Sequence, residues 1–285
     1  MNASNDEERI RTSPQPEFHS ESRSVSYSAP RLVPHLPPRS AAHPVHYARS
    51  APSDSHASHD ARCAGCAIRT ICMPRDMSDD DFRRLDAMMG TSQVVRRGET
   101  LFRIGDPFHN LYAVRSGSIK TIVVHRDGGE QVTGLYLPGD PLGLDGVSDD
   151  HHATEAVALE DSSVCVFPFG QFETLCHDVR PMQQHFHRML GVALVRHSNL
   201  LLMLGTMSAE QRVAAFLLNL SERFRVRGYS PTSFSLRMTR EEMGSYLGIK
   251  LETVSRMFSK FQKHGWLETN GKAVHLIDLD ALSRV

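Results

Sequence analysis

The chain has 285 residues, 32 Lys and Arg against 33 Asp and Glu, 40% hydrophobic residues, five cysteines and 16 histidines. That length suggests about two domains with enough apolar material for a buried core. Apolar runs such as residues 200–204 fall far short of the ~20 residues a bilayer span requires, and the polar N-terminus lacks the apolar stretch of a signal peptide. A cytoplasmic location is expected, where five cysteines read as metal-binding or catalytic rather than as a disulfide framework.

The near-neutral total hides an asymmetry. Residues 1–60 carry 6 basic and 7 acidic side chains, residues 61–205 carry 14 and 18, and residues 206–285 carry 12 and 8. An acidic middle followed by a basic C-terminal segment points modestly to nucleic acid.

Residues 1–60 hold eight of the 15 prolines and twelve serines, with almost no aliphatic periodicity. Such a segment cannot bury enough apolar area to offset its ordering entropy, so a disordered tail is expected. From about Gln93 short β-like runs follow: Val94-Val95, Leu101-Phe102, residues 111–114, 118–124 and 131–136. Turn signals separate them at Arg97-Gly98, Gly105-Asp106-Pro107, Ser116-Gly117, Asp127-Gly128-Gly129 and Pro138-Gly139-Asp140-Pro141. Strands this short, punctuated this regularly, predict an all-β sandwich or roll.

The period then becomes helical. Between Pro181 and Met207 no proline interrupts, and Leu190, Leu194, His197, Leu201 and Leu204 repeat with 4-3-4-3 spacing, the seam of a dimeric coiled coil. A helix over 209–224 presents Val213, Phe216, Leu217 and Leu220 on one face. Thr239 with Glu242 has the form of a capping box and opens a helix that stops at Gly248. A second helix runs from Leu251 to about His264. Helix, short glycine turn and helix make a helix-turn-helix, and the Asn270-Gly271 hairpin that follows adds a wing.

The second helix offers Glu252, Ser255, Arg256, Ser259 and Lys260 on one face, with Val254, Phe258 and Phe261 on the other. Arg256 can donate two hydrogen bonds to guanine, Glu252 can accept from cytosine, and Ser255 is less discriminating. Lys250, Lys260 and Lys263 suit phosphates, which fix position rather than sequence. Double-stranded DNA is the expected partner.

Cys63, Cys66 and Cys72 stand within ten residues, and Cys165 lies on a strand some ninety residues later. Three clustered thiols and a distant fourth form a ligand set for an iron–sulfur cluster or for zinc. Uneven spacing on a loop suits a cube-shaped cluster, whereas structural zinc sites more often pair two tight hairpins. Cys176, inside a short helix near 171–176, reads as a buried bystander. His151-His152, in an acidic run, reads as a surface loop.

With these motifs in order, the chain resembles the oxygen-sensing FNR-type regulators of the cAMP receptor protein superfamily over about residues 63–285. The motifs that carry the resemblance are Cys63-x2-Cys66-x5-Cys72 with Cys165, and the segment from Met238 to Gly248 continuing through Glu252-x-x-Ser255-Arg256. It implies an α+β fold: a cyclic-nucleotide-binding-like β-roll (jelly roll), a long dimerisation helix and a C-terminal winged helix-turn-helix. The corresponding parts are a tail over 1–60, a thiol loop and roll over 61–177, the helix over 178–207 and the DNA-binding domain over 208–285. It further implies that the four cysteines hold a [4Fe-4S] cluster without oxygen, and that the resulting homodimer binds a TTGAT-type palindrome with RNA polymerase. Oxygen would convert the cluster to [2Fe-2S] and weaken the dimer, a ligand-biased population shift. A family regulator that uses the same thiols for nitric oxide or zinc is the alternative.

Two departures sharpen the expectation. Residues 142–154 lack the phosphate-clamping Arg of a cAMP-binding roll and carry three acids, so no cyclic nucleotide is expected. At His197 the FNR-type seam is expected to carry an Asp; a histidine can be neutral where a carboxylate cannot, which favours dimerisation of the cluster-free chain. No phosphate-cradling loop, Ser-His-Asp set or zinc-hydrolase spacing suggests an enzyme.

Overall fold

The computed structural model describes residue 63 and residues 65–90, 92–125 and 127–285. The tail expected over 1–60 lies outside the described residues. Two short helices come first, a single turn α1 (Arg69–Cys72) and α2 (Asp79–Met88). A reciprocal capping box between Ser78 and Asp81 starts α2, whose Phe82 and Leu85 are buried. The Arg69 guanidinium lies 3.7 Å from the centre of the Phe82 ring and clamps the two helices together.

The roll follows as β1 (Gln93–Val95), β2 (Thr100–Phe102), β3 (Asn110–Ser116), β4 (Ile119–Val124), β5 (Glu130–Tyr136), β6 (Pro141–Leu142), β7 (Glu155–Ala158) and β8 (Ser162–Pro168). Two antiparallel four-stranded sheets have the orders β1-β8-β3-β6 and β2-β7-β4-β5. Alternate residues of both sheets, among them Phe102, Val114, Ile119, Ala156 and Val164, share one buried cluster. The sequence reading misses β6 and β7. Each is short and poor in β-branched or aromatic residues, and its existence depends on ladders supplied by β3 and β4.

After α3 (Phe169–Asp178) comes the long helix α4 (Arg180–Thr206), with Val179 as its N-cap. Met182, His185 and Met203 bury one face of α4, while Leu194 and Leu201 remain 69% and 70% exposed. By length and composition this helix meets the criterion for a membrane span. That qualifies the expectation drawn from uninterrupted runs, because the polar stretch Arg196-His197-Ser198-Asn199 divides the apolar residues of this helix.

The C-terminal part contains α5 (Ala209–Val226), β9 (Ser233–Ser235), α6 (Arg240–Leu247), α7 (Leu251–Lys263), β10 (Leu267–Asn270), β11 (Ala273–Leu276) and α8 (Leu279–Ser283). Its sheet has the order β10-β11-β9, so the expected wing gains a third strand from Ser233–Ser235. The resulting architecture is α+β: a β-roll, a long helix and a winged helix-turn-helix. Ile122, Val132, Leu135 and Leu137 of the roll belong to the same buried cluster as Phe216, Leu217 and Phe258. The roll and the C-terminal part therefore bury apolar surface against each other.

Candidate thiol site and nucleic-acid interface

Cys63, Cys66, Cys72 and Cys165 line one small cavity, together with Ala113, Arg115 and Phe167. The first three are brought inward by successive tight turns, with Cys66 N donating to Cys63 O at 3.1 Å and Arg69 N donating to Cys66 O at 3.1 Å. Cys72 ends α1, and Cys165 sits on β8 opposite Ala113 of β3. Pairing with β3 is what delivers a thiol from a distant part of the chain to the turns.

Neighbouring groups fix the loop. The Cys63 amide donates to Asp86 Oδ1 at 2.7 Å, and the Cys63 thiol contacts Met89 Sδ at 3.5 Å. A hydrogen bond of 2.9 Å joins His185 Nε2 on α4 to the Cys72 carbonyl. Burial pushes the Cys63 thiol well above its ordinary range, with the other thiols and Asp86 adding to the effect. Burial likewise lifts Cys72 to about 12. It also raises Cys165, against the opposing charge of Arg115. Soft donors held protonated by burial are suited to a cation that displaces their protons. Among the described residues, no three Cys, His, Asp or Glu side chains are close enough to hold a single metal ion. Four thiols lining one cavity make a donor set that iron–sulfur clusters and zinc both use.

Cys176 is buried within α3, apart from this cavity. His152 departs from its expected surface position. It is 3% exposed and stacks on Phe102 with ring centres 3.7 Å apart, whereas His151 is exposed. Polarity of the surrounding run concealed this, because burial of an imidazole here depends on an aromatic partner fifty residues earlier. In the same segment Asp145 Oδ2 accepts from Ala153 N, Thr154 N and Thr154 Oγ1, each at 2.9 Å.

The second site is built on α6 and α7. Thr239 and Glu242 form the expected capping box, and α6 ends at Gly248 with φ 62°. A Cβ on Gly244 would stand 2.6 Å from the Ile249 carbonyl, so only glycine lets the turn fold back so closely. Val254, Phe258 and Phe261 bury the inner face of α7, and Arg240 lies 3.3 Å over the Phe258 ring. Glu252 and Arg256 are exposed and Ser255 is partly exposed, all on one face. Arg256 Nη2 donates to Thr253 Oγ1 at 3.3 Å. Lys250 and Lys263 are exposed, whereas Lys260 is paired with Glu210 at 2.6 Å. On α4, Leu190 and Leu204 are half-buried and His197 is exposed beside Leu194 and Leu201.

Sequence reasoning overlooked two charged centres. Arg212 donates to the carbonyls of Leu204, Met207 and Leu247 at 2.7, 3.0 and 2.9 Å, closing the C-terminal ends of α4 and α6. Asp140, between β5 and β6, receives Arg196, Arg223 and Arg227. The only available signal was Pro138-Gly139-Asp140-Pro141, which reads equally as an ordinary turn.

Comparison with known proteins gives the same assignment from both halves. Residues 92–178 match the cyclic nucleotide-binding domain family, and residues 211–285 match the Crp-like helix-turn-helix domain. The chain is 43% identical over 225 residues to the transcriptional regulatory protein btr of Bordetella pertussis, covering 79% of this chain and 93% of that protein. It is 38% identical over 223 residues to the fumarate and nitrate reduction regulatory protein of Escherichia coli, covering 78% and 89%. The transcriptional activator protein anr of Pseudomonas aeruginosa is 38% identical over 218 residues, covering 76% and 89%. Among solved structures, FixK2 from Bradyrhizobium japonicum superposes with a TM-score of 0.64 at 29% identity, covering 68% of this chain and 96% of that one. Members of this family are DNA-binding transcription regulators rather than enzymes. The chain belongs to the Crp/FNR family and is a regulator of the FNR type.

Proposed function

We propose that the chain is a cytoplasmic, homodimeric, oxygen-responsive regulator in which Cys63, Cys66, Cys72 and Cys165 hold a [4Fe-4S] cluster. The observation that carries this reading is the convergence of four thiols, from two distant segments, on one cavity. When bound, the cluster supplies an oxygen-labile iron–thiolate centre. Cys72 ties that centre to α4, since its carbonyl meets His185 on the same helix that presents the exposed leucines. Leu190, Leu194, His197, Leu201 and Leu204 then form the seam of a dimer. Exposed apolar side chains in a row need such a partner.

Glu252, Ser255 and Arg256 read the bases of a TTGAT-type palindrome, and Lys250, Lys260 and Lys263 contact phosphates. Lys260 exchanges Glu210 for a phosphate on binding. RNA polymerase is the further partner at promoters of anaerobic metabolism. A cyclic nucleotide is not an effector. The amides of Ala153 and Thr154 already serve the chain's own Asp145 carboxylate, leaving them unavailable to a ligand phosphate.

Anaerobic purification tests the proposal directly. A brown chromophore with about four irons per chain, bleached by air, is expected, with DNA affinity falling as the colour fades. A colourless chain with one zinc would defeat the oxygen-sensing reading and leave DNA binding intact.

A further inference from the structure

We infer that Asp140 is the positioning residue that couples the cysteine segment to the DNA-reading domain. Its carboxylate is 8% exposed and meets three guanidinium groups: Arg196 Nη2 at 3.2 Å, Arg223 Nη2 at 2.5 Å and Arg227 Nη2 at 2.9 Å. Arg196 belongs to α4, Arg223 to α5, and Arg227 caps the C-terminus of α5. One carboxylate of the roll therefore holds the long helix and the first helix of the reading domain together. Two of the arginines also bond backbone carbonyls just before Asp140. Arg223 donates to the Leu135 carbonyl at 2.8 Å, and Arg227 donates to the Pro138 carbonyl at 2.7 Å.

The other side of this joint touches the thiol site. Gly139 has φ 91°, and a Cβ there would lie 2.7 Å from Ile71 Cγ2. The Asp140 loop is thus pressed against the residue that precedes Cys72. A shift of the cysteine segment bears on Gly139, and the adjacent carboxylate takes the three arginines with it. Three cations around one anion cannot stay together once that anion moves, because like charges repel strongly where water is excluded.

This deepens the proposed function by naming the path from sensor to reader, but its test needs neither cluster nor DNA. In the reduced, metal-free chain, alkylation of Cys72 reports opening of the cysteine segment. Cys176, buried in α3 and not among the thiols that line the cavity, reports general unfolding in the same sample. The variants are Asp140→Asn, Arg227→Gln and, as a control, Glu222→Gln, which breaks an exposed ion pair with Arg225 within α5. Asp140→Asn and Arg227→Gln are expected to raise the Cys72 to Cys176 rate ratio by about fivefold or more, a typical coupling magnitude. Glu222→Gln is expected to leave it at the wild-type value. If Arg227→Gln keeps the wild-type ratio, or if the control raises it equally, the inference is overturned. A rise of both thiols together overturns it as well, since that is loss of the fold. Should Asp140→Asn fail to fold, Arg227→Gln alone decides. A colourless wild-type chain with an intact coupling ratio would sink the cluster and spare the joint.

Discussion

Cys72 has two separate roles, because its thiol faces the cavity while its carbonyl holds His185 of the long helix. The thiol role was legible in the spacing of the cysteines. The carbonyl role was not, since backbone acceptors leave no mark in a sequence. Arg256 shows the opposite balance. Its position on the exposed face of α7 follows from helical periodicity alone, and the structure leaves its side chain free to reach beyond Thr253. Replacing Arg256 with alanine should cost about 1–3 kcal/mol at the cognate base pair. Fluorescence anisotropy with specific and random duplexes checks this; an equal loss on both would make Arg256 a phosphate contact instead.

Among the elements, the helix-turn-helix was the most legible. Its capping box, αL glycine and amphipathic second helix are local signals, and local signals survive in sequence. Gly244 carries a stricter demand than its position in a helix suggests. Gly244→Ala gains intrinsic helix propensity, yet its Cβ must displace the Ile249 carbonyl. A net destabilisation of about 1–3 kcal/mol is expected, typical of overpacking, with DNA affinity reduced because α7 changes its angle. Thermal melts and anisotropy on the same preparation would show it, and an unchanged melt would contradict the close approach. Strands β6 and β7 had no comparable local signal. Both exist because neighbouring strands offer them hydrogen bonds.

For the whole molecule, the decisive contacts are charged and long-range. Lys120 of β4 pairs with Glu242 of α6 at 2.7 Å, and the Val132 amide donates to Ser245 Oγ at 2.8 Å. The first reading helix therefore caps the edge strand β5, which would otherwise expose unpaired backbone groups. Asp140 adds an acid-sensitive contribution. Burial alone would raise its pKa, but Arg223, Arg196 and Arg227 together overrule burial and hold it below the ordinary carboxylate value. A depressed folded-state pKa stabilises the fold above the unfolded value, and that stabilisation is lost as pH falls through the folded value. Asp140→Asn should lower stability at pH 7 by about 3–5 kcal/mol, since it leaves buried cations without their anion. Denaturant midpoints of variant and wild type should converge on acidification below about pH 4. Parallel midpoints throughout would show that the three arginines do not depend on this carboxylate.

The sequence by itself determined the order of parts, the four candidate thiols, the second helix of the helix-turn-helix and its exposed polar face. Each of these rests on short-range spacing or on the chemistry of a residue type. Only the tertiary structure decided that Cys165 meets the other three, that His152 is buried, and that Asp140 gathers three arginines from two helices. Those outcomes depend on which surfaces meet after the chain has folded. A carboxylate in a turn reads the same whether it faces water or three guanidinium groups, and pairing across the fold is what distinguishes them.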